Sequence, residues 1–114
     1  MKKYELEAYV TDDGKSPFQD WLDHLKDKTA RSKLYAKLDR ASFGHFGDCK
    51  NIQGTQRIFE MREHYGPGYR IYYSLINRKI VLLLAGSIKR DQNKAIDKAT
   101  QYLKDYERRI NYEQ

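Results

Sequence analysis

Polar and apolar residues alternate through Tyr4-Glu5-Leu6-Glu7-Ala8-Tyr9-Val10, which predicts a strand. Thr11 to Lys15 carries turn residues, and Ser16-Pro17-Phe18-Gln19 then opens a helix. Ser16 takes the N-cap, Pro17 the first helical position, and Gln19 completes a capping box. Phe18, Trp21, Leu22 and Leu25 form one apolar stripe at helical spacing. After a break at Asp27-Lys28-Thr29, a second helix aligns Ala30, Leu34, Leu38 and Ala41, so the two make a helical hairpin. Phe43 to Gln56 is rich in glycine and is expected to be loop. Strands are predicted at about 57–63, 69–76 and 79–86, with Asn77-Arg78 as a two-residue turn. The run from Ile80 to Ala85 is apolar throughout and predicts burial on both faces. From Asp91 onward Ile96, Ala99, Leu103, Tyr106 and Ile110 hold one helical face.

The order is therefore β-α-α-β-β-β-α, an α+β class in one domain, residues 1–114. Its expected form is a small, mostly antiparallel sheet with the first strand at an edge. Helices would pack on one sheet face and leave the other open for binding.

The segment Glu60 to Tyr73 sharpens this picture. Its Gly66-Pro67-Gly68 turn folds a hairpin in which Arg62 faces Arg70, Glu60 faces Tyr72, Met61 faces Ile71 and Phe59 faces Tyr73. Alternation sends Phe59, Met61, Ile71, Tyr73 and Leu75 to the core, and Glu60, Arg62, Arg70, Tyr72 and Ser74 to the other face. Two arginines directly opposed repel each other. A phosphate between them would explain the pair; so, for Arg62, would a neighbouring acid such as Glu60 or Glu63.

Charge extends the argument. The chain carries +6 overall, but residues 1–25 hold three lysines against six acids. From position 26 onward 19 basic residues face 10 acidic ones, which suits a polyanionic partner. Lys89 and Arg90 sit where the last helix begins, in a setting that favours anions, although a solvated lysine fits the spacing as well. Lys50 and Arg57 flank the loop before the second strand and extend a phosphate track. Tyr65, Tyr69 and Tyr72 offer rings to stack a base or hydroxyls to donate a proton. His64, at the hairpin end near Arg62, is an acid/base candidate.

Other chemistry finds little support. The three histidines and the single Cys49 show no metal-ligand spacing, so neither metal nor cofactor is expected. No phosphate-loop or dinucleotide fingerprint is present. No apolar run nears the roughly 20 residues of a membrane span, and Met1 to Glu5 lack the apolar core of a signal peptide. A lone cysteine fits a reducing compartment, so a cytoplasmic location is expected.

Three stretches together resemble the RelE/ParE superfamily of type II toxins, in particular its phage Gp49-like, HigB-type "addiction module killer protein" branch. They are Phe59-Glu60-Met61-Arg62, then Tyr65 to Tyr73, then Leu83 to Gln92 followed by Ile96 and Ala99. The family pattern there is E-L-R, G-P-G-Y-R-V-Y, L-L-x-G-G-x-K-x-x-Q and D-I-x-x-A. The chain departs from it at Ser87, where glycine is preferred, and at Lys94-Ala95-Ile96, where an acid precedes the isoleucine. The resemblance implies a toxin and a cognate antitoxin from the same operon, a helix-turn-helix protein with which it would contact operator DNA. It also implies a metal-independent endoribonuclease that cuts mRNA on the ribosome, the 2′-hydroxyl attacking the adjacent phosphate. Arg62, Arg70 and Lys89 carry over as the phosphate-handling set. Tyr72 would stack or hydrogen-bond near the cut, and Glu60 or His64 would serve as base. ParE-type relatives inhibit DNA gyrase instead, and a module acting only through antitoxin binding and operator co-repression is a further alternative.

Overall fold

A computed structural model describes residues 1–55 and 57–113, the last three of these by backbone alone. Among the described residues are three α-helices and five strands, β1 (Glu5–Ala8), α1 (Pro17–Asp23), α2 (Lys28–Ser42), β2 (Cys49–Asn51), β3 (Phe59–Glu63), β4 (Tyr69–Ile76), β5 (Ile80–Ile88) and α3 (Gln92–Glu113), with a 3₁₀ turn at Lys89–Asp91. The strands make one sheet in the order β1-β5-β4-β3-β2. Three neighbouring pairs run antiparallel, and β1 lies parallel to β5 at one edge. The α+β class stands.

Helix starts differ in how they are capped. Asp27 accepts from the backbone N–H groups of Thr29 and Ala30 at 3.0 and 3.1 Å, satisfying two orphan donors of α2. Ser16 is the N-cap of α1 with Pro17 in the first turn, but its hydroxyl makes no capping bond. The expected capping box does not form, because the Gln19 amide turns to Asp23 at 2.9 Å.

The sheet is covered on both faces, which corrects the expectation that helices occupy one. Phe18, Leu22, Ala30, Leu34 and Leu38 from α1 and α2 pack with Met61, Ile71, Tyr73, Val81 and Leu83. Ala95, Ala99 and Leu103 from α3 pack with Tyr72, Ile76, Leu82 and Leu84 on the opposite side. This division explains the unbroken apolar run of β5, which feeds both clusters. The hairpin turn at Asn77-Arg78 has φ of 52° and 59°, the paired positive values a tight hairpin needs. The segment 43–56, expected to be loop, contains β2 as an edge strand on β3; Gln56 lies outside the described residues.

One irregularity decides what β5 presents. Tyr73 pairs with Leu83 and Tyr72 with Ala85, leaving Leu84 as an extra residue, a β-bulge. Beyond it the alternation reverses phase. Gly86 therefore turns toward α1, where an added Cβ would stand 2.2 Å from the Trp21 ring. Ser87 turns the other way, its hydroxyl 3.2 Å from that of Tyr72.

The far end of β1 is tied to α3 by polar contacts. The Tyr9 hydroxyl donates to Asp105 at 2.5 Å and its ring stacks on Tyr102 at 4.9 Å. Arg109 also bonds Asp105 and donates to the Val10 carbonyl at 2.8 Å. The hydrogen bonds from Tyr9 and Arg108 hold the Asp105 carboxyl down to about 2, and burial pushes the Tyr9 hydroxyl up to about 12. Among the described residues no helix is long and apolar enough to cross a membrane.

Two outcomes are expected. Gly86→Ala should destabilise the fold by about 1–3 kcal/mol through overpacking against Trp21, read as a lower urea midpoint. Because the Asp105 carboxyl is depressed in the folded state, its contribution is complete above the ordinary carboxylate range of about 4 and is lost as pH falls toward about 2. Asp105→Asn should therefore flatten the dependence of stability on pH across that window.

Candidate functional site

The β3–β4 register is the one read from the hairpin: Arg62 opposite Arg70, Glu60 opposite Tyr72. Across the sheet this builds rows on one face. Lys50 on β2, Glu60, Tyr72 and Ala85 form one row. Arg62, Arg70 and Ser87 form the next, and the Arg62 N–H donates to the Asp48 carbonyl at 2.9 Å, adding Asp48 just ahead of β2. Apolar residues of α3 cover the other end of this face, so the charged rows lie at its uncovered corner.

Glu60 settles the question posed by the opposed arginines. Its residue is 2% exposed. One carboxylate oxygen accepts from Nε of Arg62 at 2.8 Å and lies 2.8 Å from its Nη2, and the other lies 3.8 Å from Arg70 Nε. The neighbouring acid, rather than a phosphate, fills the space between the guanidiniums. Two cations and one anion leave the cluster a net positive charge. Arg70 is 5% exposed, and its Nε has no hydrogen-bond partner. Arg62 retains about a quarter of its side-chain surface, 26%, and is the arginine a ligand can touch.

Tyr72 differs from its expected role. It is fully buried beneath α3, with its hydroxyl against Ser87, and burial pushes that hydroxyl above the usual tyrosine range. A buried ring cannot stack on a base; Tyr72 supports the site from below.

Lys89 follows β5 in a short 3₁₀ turn, its N–H donating to the Gly68 carbonyl at 2.9 Å. Gly68 has φ of +81°, and a Cβ placed on it would stand 3.4 Å from Lys89 Cβ and 4.0 Å from Arg70 Nη1. The glycine thus permits the turn, through its positive φ rather than through any lack of space. Lys89 is exposed and forms no ion pair among the described residues. Lys50, Glu60 and Arg62 line a polar cavity of about 310 Å³ with Gln53, Gln92 and Asn93. A second cavity of about 810 Å³ lies at the β1 edge of the sheet, between Lys3, Tyr4, Ser42 and Lys79.

Two expected residues lie elsewhere. Arg57 pairs with Glu107, eleven residues along α3 from the cavity residue Ile96 and so about 16 Å away along the helix axis. Arg90 is exposed and folds back on Asp91 at 3.1 Å. His64 is at the site: its Nε2 lies 2.6 Å from Asp48 Oδ2. That hydrogen bond, followed by the charges of Arg62 and Arg70, holds the Asp48 carboxyl below its ordinary value. Sequence reading missed Asp48, because β2, which delivers it, carries no alternating apolar signal. Among the described residues no three of His, Cys, Asp and Glu gather closely enough to hold a metal ion.

Glu60→Ala should cost about 3–5 kcal/mol in urea unfolding, because it strands a buried guanidinium. Adding Arg70→Met should recover most of that loss. Independent, additive effects would show that the carboxylate and Arg70 do not act as one unit.

No family model matches the chain. In structure it is similar to an arginine-to-alanine double mutant of the Escherichia coli toxin RelE in the free state, with a TM-score of 0.64. That likeness spans 89% of this chain and 97% of the other at 19% identity, and it establishes a RelE-like fold. In sequence the chain is 42% identical over 82 residues to an uncharacterized protein of Haemophilus influenzae, covering 72% of this chain and 81% of that one. The chain belongs to the same family as this Haemophilus influenzae protein.

Proposed function

We infer that the chain is the toxin of a type II toxin–antitoxin pair, of HigB type, and acts as a metal-independent endoribonuclease on translated mRNA. The observation that carries the reading is the exposed face of Arg62, flanked by Lys50 and Lys89 and backed by buried Arg70, at the open corner of a RelE-like sheet.

The chemistry follows from these positions. A phosphate entering the corner meets Arg62 directly, and its second edge is within the field of Lys89. Arg70 contributes positive charge from a water-poor position, where it acts more strongly than in solvent. The substrate's 2′-hydroxyl is the nucleophile, so the protein need only hold the phosphate in line and offset the charge growing on its oxygens. Glu60 fixes the Arg62 guanidinium through a hydrogen bond and an ion pair and so reduces the ordering left for binding. A cognate antitoxin with acidic residues over this corner would exclude RNA, and its grip would weaken as salt rises.

Induction of the chain alone in bacteria tests the reading. Growth arrest should accompany new 5′ ends within translated messages, and the purified protein should cut them in the presence of EDTA. Arg62→Ala should lower cleavage by at least about tenfold to a hundredfold, the loss of one charged hydrogen-bonding group of about 1.5–3 kcal/mol. Trapped gyrase–DNA complexes with intact messages, or full toxicity of a folded Arg62→Ala protein, would overturn it.

A further inference from the structure

Cleavage through a 2′-hydroxyl needs a group to take its proton, and the guanidinium and ammonium groups of the corner are hydrogen-bond donors without an acceptor atom. Glu60 is poorly placed for the task. It is 2% exposed, and both of its oxygens face guanidiniums. A substrate hydroxyl cannot reach it without dismantling the buried cluster.

His64 and Asp48 meet the requirement. Both side chains are accessible, with 69% and 49% of their surface exposed. They lie 2.6 Å apart although 16 residues separate them in sequence. Asp48 is fixed to β3 by the Arg62 N–H, so the couple is tied to the residue that would hold the phosphate. A carboxylate only accepts, so the imidazole Nε2 carries the proton in this bond. Nδ1 is then the ring atom left free, with no partner among the described residues. Arg62 and Arg70 both act on Asp48; Lys37 Nζ lies beside Gly47, the residue before it, and Lys89 lies beyond Gly68. Glu63 lies on the opposite sheet face by alternation.

We propose that His64 is the general base of the cleavage step and that Asp48 is its positioning residue. The inference rests on the endoribonuclease reading given above. Nδ1 takes the proton of the 2′-hydroxyl as that oxygen bonds to phosphorus. The bond from phosphorus to the 5′-oxygen breaks, and the leaving oxygen takes a proton from water. The products are a 2′,3′-cyclic phosphate and a 5′-hydroxyl, and the imidazolium returns its proton to solvent. Asp48 keeps Nε2 protonated, orients the ring and stabilises the imidazolium as it forms.

Rates measured on a translated message from about pH 5 to pH 9 test this. His64→Ala should slow cleavage by about 10²- to 10⁴-fold while message binding persists, and added imidazole should restore part of the rate. Asp48→Asn should slow it less and move the acidic limb of the profile to lower pH, since the stabilising charge is gone. Because both side chains are exposed, each variant should show the circular dichroism and urea midpoint of the native chain. If His64→Ala does not fold, His64→Gln replaces it. Cleavage by a folded His64 variant within about twofold of the native rate, where Arg62→Ala is inactive, would remove His64 but leave the endoribonuclease reading intact. An unmoved limb in Asp48→Asn would remove Asp48 from its role. A folded native chain that cuts no message would overturn both readings together.

Discussion

The buried carboxylate of Glu60 is the constraint on which the polar half of the molecule depends. A guanidinium as deeply buried as Arg70 is tolerable only beside an anion. The β3–β4 register brings the second arginine opposite it, and Glu60 is close to both. A one-residue slip of the hairpin would send Glu60 and Arg62 into the cluster around Met61 and Ile71 and bring those residues out. Electrostatics and the hydrophobic effect thus select the same register. The pairings of β2 with β3 and of β5 with β4 then set Asp48 and Ser87 in the arginine row.

The polar face is a gradient rather than a uniform surface. Toward Ile76, Leu82 and Leu84 it is apolar and lies under α3. Toward Glu63 and Ile88 it becomes charged and open. Tyr72 occupies the boundary, with its ring in the apolar cluster and its hydroxyl against Ser87. The 3₁₀ turn Lys89–Asp91 lets α3 begin beside the charged corner, so Gln92 and Asn93 wall the cavity while later residues supply the core.

Much of this was legible in the sequence, and the failures have physical causes. The Gly66-Pro67-Gly68 turn and the alternation around it predicted the β3–β4 register, naming four of its five pairs. The apolar run of β5 signalled a strand buried on both sides. Alternation could not show that α3 crosses the polar face, since an apolar stripe states that a helix is covered but not by which surface. That omission made Tyr72 look exposed. Cys49-Lys50-Asn51 forms a strand through edge pairing alone, with all three residues exposed, so neither β2 nor the place of Asp48 beside His64 was visible. Arg57 was assigned by proximity in the chain, whereas its partner Glu107 comes from the far end of α3.

The extra residue in β5 has an organisational consequence. Before Leu84 the strand speaks to the core in one phase, with Val81 and Leu83 on one side and Leu82 on the other. After it the phase is inverted, so a single strand serves two patterns that an uninterrupted ladder would force into conflict. The first half is free to satisfy packing and the second to satisfy chemistry. Leu84 works like a vernier between them: the length of the strand, as much as the identity of its residues, sets which side chains border the arginines.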